Sequence, residues 1–116
     1  MNIHWNHIEQ PDQLDQIRAA SFQQPQIIFK HSTRCSISSL AKSRLEKQTP
    51  PVNSVFHYLD LIRFREISNR IASDFQVYHE SPQVLVIKNG DCIYDESHLA
   101  IYMEDIVTEA PAANNQ

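Results

Sequence analysis

Cysteine is scarce in this 116-residue chain: Cys35 and Cys92 are the only two. Such a pair excludes a small secreted scaffold held together by disulfides. No apolar stretch approaches ~18 residues, so nothing in the chain reads as a membrane span. Lysine and arginine form no stripe interleaved with aromatics, which argues against a nucleic-acid surface. A formal charge of −4 is modest and is accounted for by solubility alone. The opening residues, Met1-Asn2-Ile3-His4-Trp5, have neither the charged start nor the apolar middle of a signal peptide, and a reducing cytoplasm is the expected setting. The six histidines make no metal set, because His4 and His7 share a usable offset but no further ligand completes a site. Glycine occurs once, at Gly90.

What is present begins with strand and helix signals. Ile3 and Trp5 alternate with polar residues as in a short strand, and Pro11 opens a helix to about Ala20 with Leu14 and Ile17 inward. Gln26–His31 is a short apolar run between Pro25 and a Ser/Thr cluster, the pattern of a central strand buried on both faces. A helix over Ser36–Gln48 follows, with Ile37, Leu40, Ala41 and Leu45 as its inner face and Pro50-Pro51 as its stop. Val55–Asp60 reads as a third strand, and Ile67, Ile71 and Phe75 mark a third helix. Asn89-Gly90 between Gln83–Lys88 and Asp91–Asp95 is a strong hairpin signal. A last amphipathic helix carries Leu99, Ile101, Tyr102 and Ile106, and residues 109–116 have the composition of a frayed tail after one domain over 1–108.

This order describes an α/β protein with a mixed central sheet of five strands flanked by four helices, the order of the thioredoxin-like fold. Cys35 falls where the second strand gives way to the second helix. There the positive end of the helix dipole and the free N–H groups favour a thiolate, the form in which a thiol acts as nucleophile. Cys35-Ser36-Ile37-Ser38 keeps the C-x-x-C redox spacing with serine in the second cysteine's place. Monothiol exchange is the chemistry this predicts, with Ser38 one turn on as a hydrogen-bond donor to the sulfur. Lys30, Arg34, Lys42, Arg44 and Lys47 give the surrounding segment a positive excess that suits a thiolate and an anionic substrate, or simply form a solvated face. Arg34 and Lys30 are the candidates for tuning the thiolate, with Lys30 equally able to point into solvent. His31 either influences Cys35 or packs at a strand end, and Ser32 or Thr33 is expected to cap the helix. Ser81-Pro82 precedes the first hairpin strand, where the thioredoxin fold keeps a cis-proline beside its active sulfur. Glu80, Ser81, Pro82 and Gln83 are therefore candidates for the opposite, substrate-binding wall, by pairing of an added strand. Cys92, in the last strand, is expected to be a buried small hydrophobe away from Cys35.

The segments Lys30-His31-Ser32-Thr33-Arg34-Cys35-Ser36-Ile37-Ser38, His79-Glu80-Ser81-Pro82-Gln83 and Lys88-Asn89-Gly90 closely resemble the monothiol bacilliredoxins of the YtxJ type, thioredoxin-like proteins linked to the thiol bacillithiol. The likeness runs from the first strand to Ser97-His98. One departure is Ser36, where members of that family often carry proline; serine restores a backbone N–H near the sulfur. The resemblance implies a cytoplasmic oxidoreductase with no bound cofactor that uses bacillithiol as co-substrate and removes it from mixed disulfides on client proteins. Two alternatives stand beside it. One is a monothiol glutaredoxin-like protein using glutathione or sharing an iron–sulfur cluster, which Ser36-Ile37 and the single glycine disfavour. The other is a peptide-binding module whose cysteine is incidental.

Overall fold

Residues 2–110 are described by a computed structural model. The chain runs β1 (Trp5–His7), α1 (Gln13–Ala20), β2 (Gln26–His31), α2 (Ser36–Glu46), β3 (Val55–Asp60), α3 (Arg65–Phe75), β4 (Gln83–Lys88), β5 (Asp91–Ser97) and α4 (Met103–Glu109), with a 3-10 turn at His98–Ala100. The sheet order is β1-β3-β2-β4-β5. β1 and β2 both lie parallel to β3, whereas β4 runs antiparallel to β2 and β5. β2 is thus central and every residue of it is buried.

Side chains alternate across β2, and the alternation divides the core in two. Ile27 and Phe29 face the side covered by α2 and α4, with Ala41, Leu45, Met103 and Ile106. Ile28 faces the side covered by α1 and α3, with Leu14, Ile17, Ile67, Ile71 and Phe75. The same alternation sends Lys30 to the α3 side and His31 to the α2 side. These two neighbours from the sequence motif therefore serve opposite faces.

The differences from expectation have local causes. β1 starts at Trp5 rather than Ile3, although Ile3 is buried just ahead of it. α1 begins at Gln13, since Pro11 and Asp12 sit in the preceding turn and their carbonyls accept from the N–H groups of Leu14 and Asp15. α2 ends at Glu46, and its buried line is Ser38, Ala41 and Leu45; Ile37 and Leu40 are exposed. The expected last helix is two pieces: Leu99 lies in the 3-10 turn and is exposed, and α4 starts only at Met103, with Tyr102 outside it. The expected tail does not begin at 109, because Glu109 closes α4 and Ala110 is buried in the core with its N–H on the Ile106 carbonyl; residues 111–116 of that tail lie outside the described residues. Gly90 takes φ +84 in the hairpin turn, and a Cβ there would meet the Phe22 ring at 2.9 Å, so both conformation and space require glycine.

Candidate functional site

β2 ends at His31, and the Ser32–Arg34 loop delivers Cys35 to the start of α2. Cys35 itself is the N-cap, in extended conformation (φ −113, ψ 122), and its carbonyl accepts the first helical bond from Ser39 at 3.1 Å. Neither Ser32 nor Thr33 caps the helix, because no side chain makes a cap bond there. The N–H groups of Ser36, Ile37 and Ser38 have no partner among the described residues, as the first turn of a helix dictates. Cys35 is half-buried and free, beside exposed Thr33, Arg34, Ser36 and Ile37.

Beneath it, Ser38 is completely buried and fully engaged. Its Oγ accepts the Ser32 N–H at 3.0 Å and lies 2.7 Å from His31 Nδ1. Burial and the positive charge of Lys42 lower the His31 pKa, with Asp60 and Glu46 opposing, so the ring is neutral at pH 7. The hydroxyl has one hydrogen and two acceptor sites, so it bonds Nδ1 in either neutral tautomer while holding the Ser32 N–H. The expected hydrogen bond from Ser38 to the Cys35 sulfur is not formed; instead the hydroxyl staples both ends of the cysteine loop. His31 is held in turn by Phe29 and Tyr58, with ring centroids at 5.8 and 5.6 Å. Ser38→Ala strands the partly buried Ser32 N–H and removes the partner of the buried His31 ring, and the expected loss is about 1–3 kcal/mol in urea unfolding. Equal midpoints for the two proteins would show that the staple carries no stability.

The opposite wall follows from register. Gln83 pairs with Lys30, so Pro82 lies at the same edge of the sheet as His31 and the cysteine loop. The Ser81–Pro82 bond is cis, the isomer that the thioredoxin fold keeps at this position. The Pro82 carbonyl accepts the His98 N–H at 3.0 Å, and His98 Nε2 lies 3.4 Å from Glu80. The backbone N–H and C=O of Ser81 have no partner among the described residues. Glu80 is exposed at the rim, whereas Gln83 is buried and its Nε2 donates to the Tyr78 carbonyl at 2.9 Å. The structure therefore separates the four wall residues: Glu80 and Ser81 border the opening and Gln83 supports it from below.

The expected cluster of five cations around Cys35 is dispersed. Lys42 pairs with Glu46 at 2.7 Å, and Glu46 also accepts from the Trp5 indole at 2.7 Å. Arg44 donates to the Leu99 and Ile101 carbonyls and lies over Tyr102. Lys47 caps the far end of α2. Lys30 points neither to Cys35 nor to solvent: it is fully buried on the α3 side, with Nζ 2.9 Å from His79 Nδ1. Arg34 alone of the five stays exposed and directly beside the cysteine. His79 and His98 are the site residues that sequence reasoning misses. A lysine inside an all-buried strand is the available signal, since a buried ammonium requires a partner.

Cys92 is half-buried, pairs with Ile87, and its thiol is pushed up to about 11 by burial. Ile87 lies opposite Gln26, at the other end of β2 from the cysteine loop, about 13 Å of strand away from Gln83. Cys92 is thus no resolving partner for Cys35 in this fold. Among the described residues no group of His, Cys, Asp and Glu is arranged to hold a metal ion.

A cysteine at a helix N-terminus after the central strand, facing a cis-proline loop, defines a thioredoxin-fold oxidoreductase. Solved structures agree: a protein provisionally described as an oxidoreductase with a thioredoxin fold matches at TM-score 0.74 and 25% identity, covering 89% of this chain and 90% of its own. Thioredoxin from Malassezia sympodialis matches at TM-score 0.70 and 20% identity over 91% and 90% of the two chains. A single-site mutant of thioredoxin from Halobacterium salinarum matches at TM-score 0.66 and 11% identity over 93% and 92%. Within that class, residues 6–106 match the family model of the monothiol bacilliredoxin BrxC, and the chain belongs to that family.

Proposed function

We propose that this protein removes bacillithiol from mixed disulfides on protein cysteines. The observation that carries the reading is the Cys35–Ser38 arrangement: an accessible thiol at the N-terminus of α2 whose C-x-x-C partner position holds a buried, fully bonded hydroxyl. A nucleophile so placed exchanges disulfides but has no neighbouring thiol with which to form an internal one. The Cys35 thiolate attacks the bacillithiol sulfur of the modified client. The client thiolate leaves and takes up a proton, and Cys35 now carries bacillithiol. A second bacillithiol thiolate attacks its bound counterpart, releasing bacillithiol disulfide and the free Cys35 thiolate. Each step exchanges one S–S bond for another, and the second bacillithiol supplies the reducing electrons.

Around the nucleophile, the free N–H groups of Ser36, Ile37 and Ser38 and the exposed Arg34 favour negative charge. The open backbone of Ser81 is suited to pair with the substrate segment as an added strand. Thr33, Ser36 and Ile37 form the accessible rim on the other side. A cytoplasmic setting, where bacillithiol and reduced thiols occur together, fits this activity, and among the described residues no helix is long and apolar enough to cross a membrane.

The test is intact mass of the reduced protein after incubation with a bacillithiolated client and, separately, a glutathionylated one. Transfer of the bacillithiol mass to Cys35, with little or no glutathione transfer, is the expected result. Equal transfer from both would remove the specificity for bacillithiol, and none from either would remove the exchange reaction.

A further inference from the structure

The Lys30–His79 contact lies on the α3 side of the sheet, across from the face that carries Cys35 and α2. Lys30 is fully buried, and its ammonium has three hydrogens to place. One reaches His79 Nδ1 at 2.9 Å, and Ser68 Oγ of α3 stands 3.3 Å from the same nitrogen. His79 is exposed and sits over the lysine like a cover. It belongs to the loop Tyr78–Pro82, which has few other attachments. Gln83 holds the Tyr78 carbonyl, the Pro82 carbonyl accepts the His98 N–H at 3.0 Å at the loop's far end, and the Glu80–His98 side-chain contact lies in solvent at the rim. Gln83 Oε1 and Ser81 Oγ are buried yet have no partner among the described residues.

We propose that Lys30 and His79 are positioning residues that latch the Tyr78–Pro82 loop to β2 and α3, holding the Ser81 backbone where the disulfide-bearing substrate segment must pair. The proposal rests on the exchange reaction at Cys35 for its meaning, but the latch itself is a property of the free protein. The bond requires an unprotonated Nδ1. The groups facing it are Lys30 from β2, Arg65 from α3, Glu80 beside it in the loop and, through Glu80, His98 beyond β5. Burial, Lys30 and Arg65 lower the His79 pKa, with Glu80 opposing, so the ring is neutral at pH 7 and the latch is closed. Burial lowers Lys30 to about 8 against the pull of Glu80, and the neutral amine formed above that still has a hydrogen to donate. Acid is therefore the condition that opens the latch, because protonated His79 presents a hydrogen, and a like charge, to the ammonium.

Three variants test it in steady-state turnover of a protein mixed disulfide. His79→Leu and Lys30→Met should each raise KM about tenfold while kcat moves less than about twofold, the signature of lost substrate positioning. The two changes combined should cost no more than either alone, since both remove one bond. His79→Asn, which keeps an acceptor near the Nδ1 position but does not titrate, should restore KM at pH 7. It should also abolish the rise in KM expected of the wild type on acidification, as His79 takes up a proton below its usual range. Unchanged KM in both disrupting variants, or an asparagine variant as poor as the leucine one, would overturn the latch. Amide exchange of His98, whose N–H is held by the Pro82 carbonyl of the loop at 3.0 Å, measured without substrate, separates this from failure of the exchange reading. It should quicken about tenfold in His79→Leu whether or not the protein turns over any disulfide, and unaltered exchange would overturn the latch in either case.

Discussion

Replacing Cys35 by serine should abolish thiol transfer completely and remove the only thiol that alkylates at neutral pH, while Cys92→Ser leaves both intact. The asymmetry follows from where the two sulfurs stand. Cys35 is at the mouth of the site, on a helix N-cap. Cys92 is partly covered by the α1/α3 side of the core, with its Sγ donating to the Tyr94 carbonyl at 3.3 Å. Its thiol, pushed up to about 11, is ionised in only about one molecule in 10⁴ at pH 7. Iodoacetamide at pH 7 should therefore label one equivalent per chain, and peptide mapping should find the label on Cys35. Labelling of Cys92 at a comparable rate would mean that β5 opens in solution. Turnover surviving in Cys35→Ser would mean that the chemistry is carried elsewhere. The same pair of variants separates an enzyme from a binding module, since a module would keep its affinity for a client segment after loss of the sulfur.

The elements that are legible in the sequence are those whose patterns are local. Gln26–His31 is a strand because six consecutive residues are to be buried, and Asn89-Gly90 is a turn because the chain needs positive φ at both positions, 53 and 84. The position of Cys35 follows from the boundary between two such patterns, and the placement of Pro82 follows from the hairpin. The inner face of α2 is harder to read, because Ile37 and Leu40 look like core residues and Ser38 does not. The hydroxyl is buried there only because His31, seven residues away, supplies its partner. Lys30 is legible as an anomaly but not as a contact, since its partner His79 lies 49 residues on. The start of α4 is hidden for the reverse reason. Leu99 and Tyr102 continue the apolar rhythm, but His98 adopts φ 58 and its N–H goes to Pro82, so the chain turns before the helix begins. Pairings across the fold determine these points, and periodicity carries no record of them.

Acid should weaken the fold through a histidine that takes no part in the site. His57 in β3 is buried, and its Nε2–H donates to Gln26 Oε1 at 2.7 Å. Burial lowers its pKa from 6.5 to about 4. Above pH 6.5 neither the folded nor the unfolded chain protonates this ring, and its contribution is constant. As pH falls below 6.5 the unfolded chain binds a proton that the folded chain refuses, so stability is lost progressively until about pH 4, where both states are protonated. The whole interval corresponds to about 3 kcal/mol. Urea unfolding of wild type and His57→Gln across pH 4 to 7.5 reads it directly, because glutamine offers an N–H near the same place without titrating. The two proteins should run parallel above pH 6.5, and the wild type should then fall away from the variant by about that amount. His31 and His79, whose pKa values are also lowered, add to the acid slope of both proteins equally and leave the difference to His57. Identical slopes would mean that the ring is solvated in the folded state. Because protonation of His79 also opens its latch, loss of substrate affinity and loss of stability should both appear on acidification. His57→Gln should restore the stability alone, and His79→Asn the affinity alone.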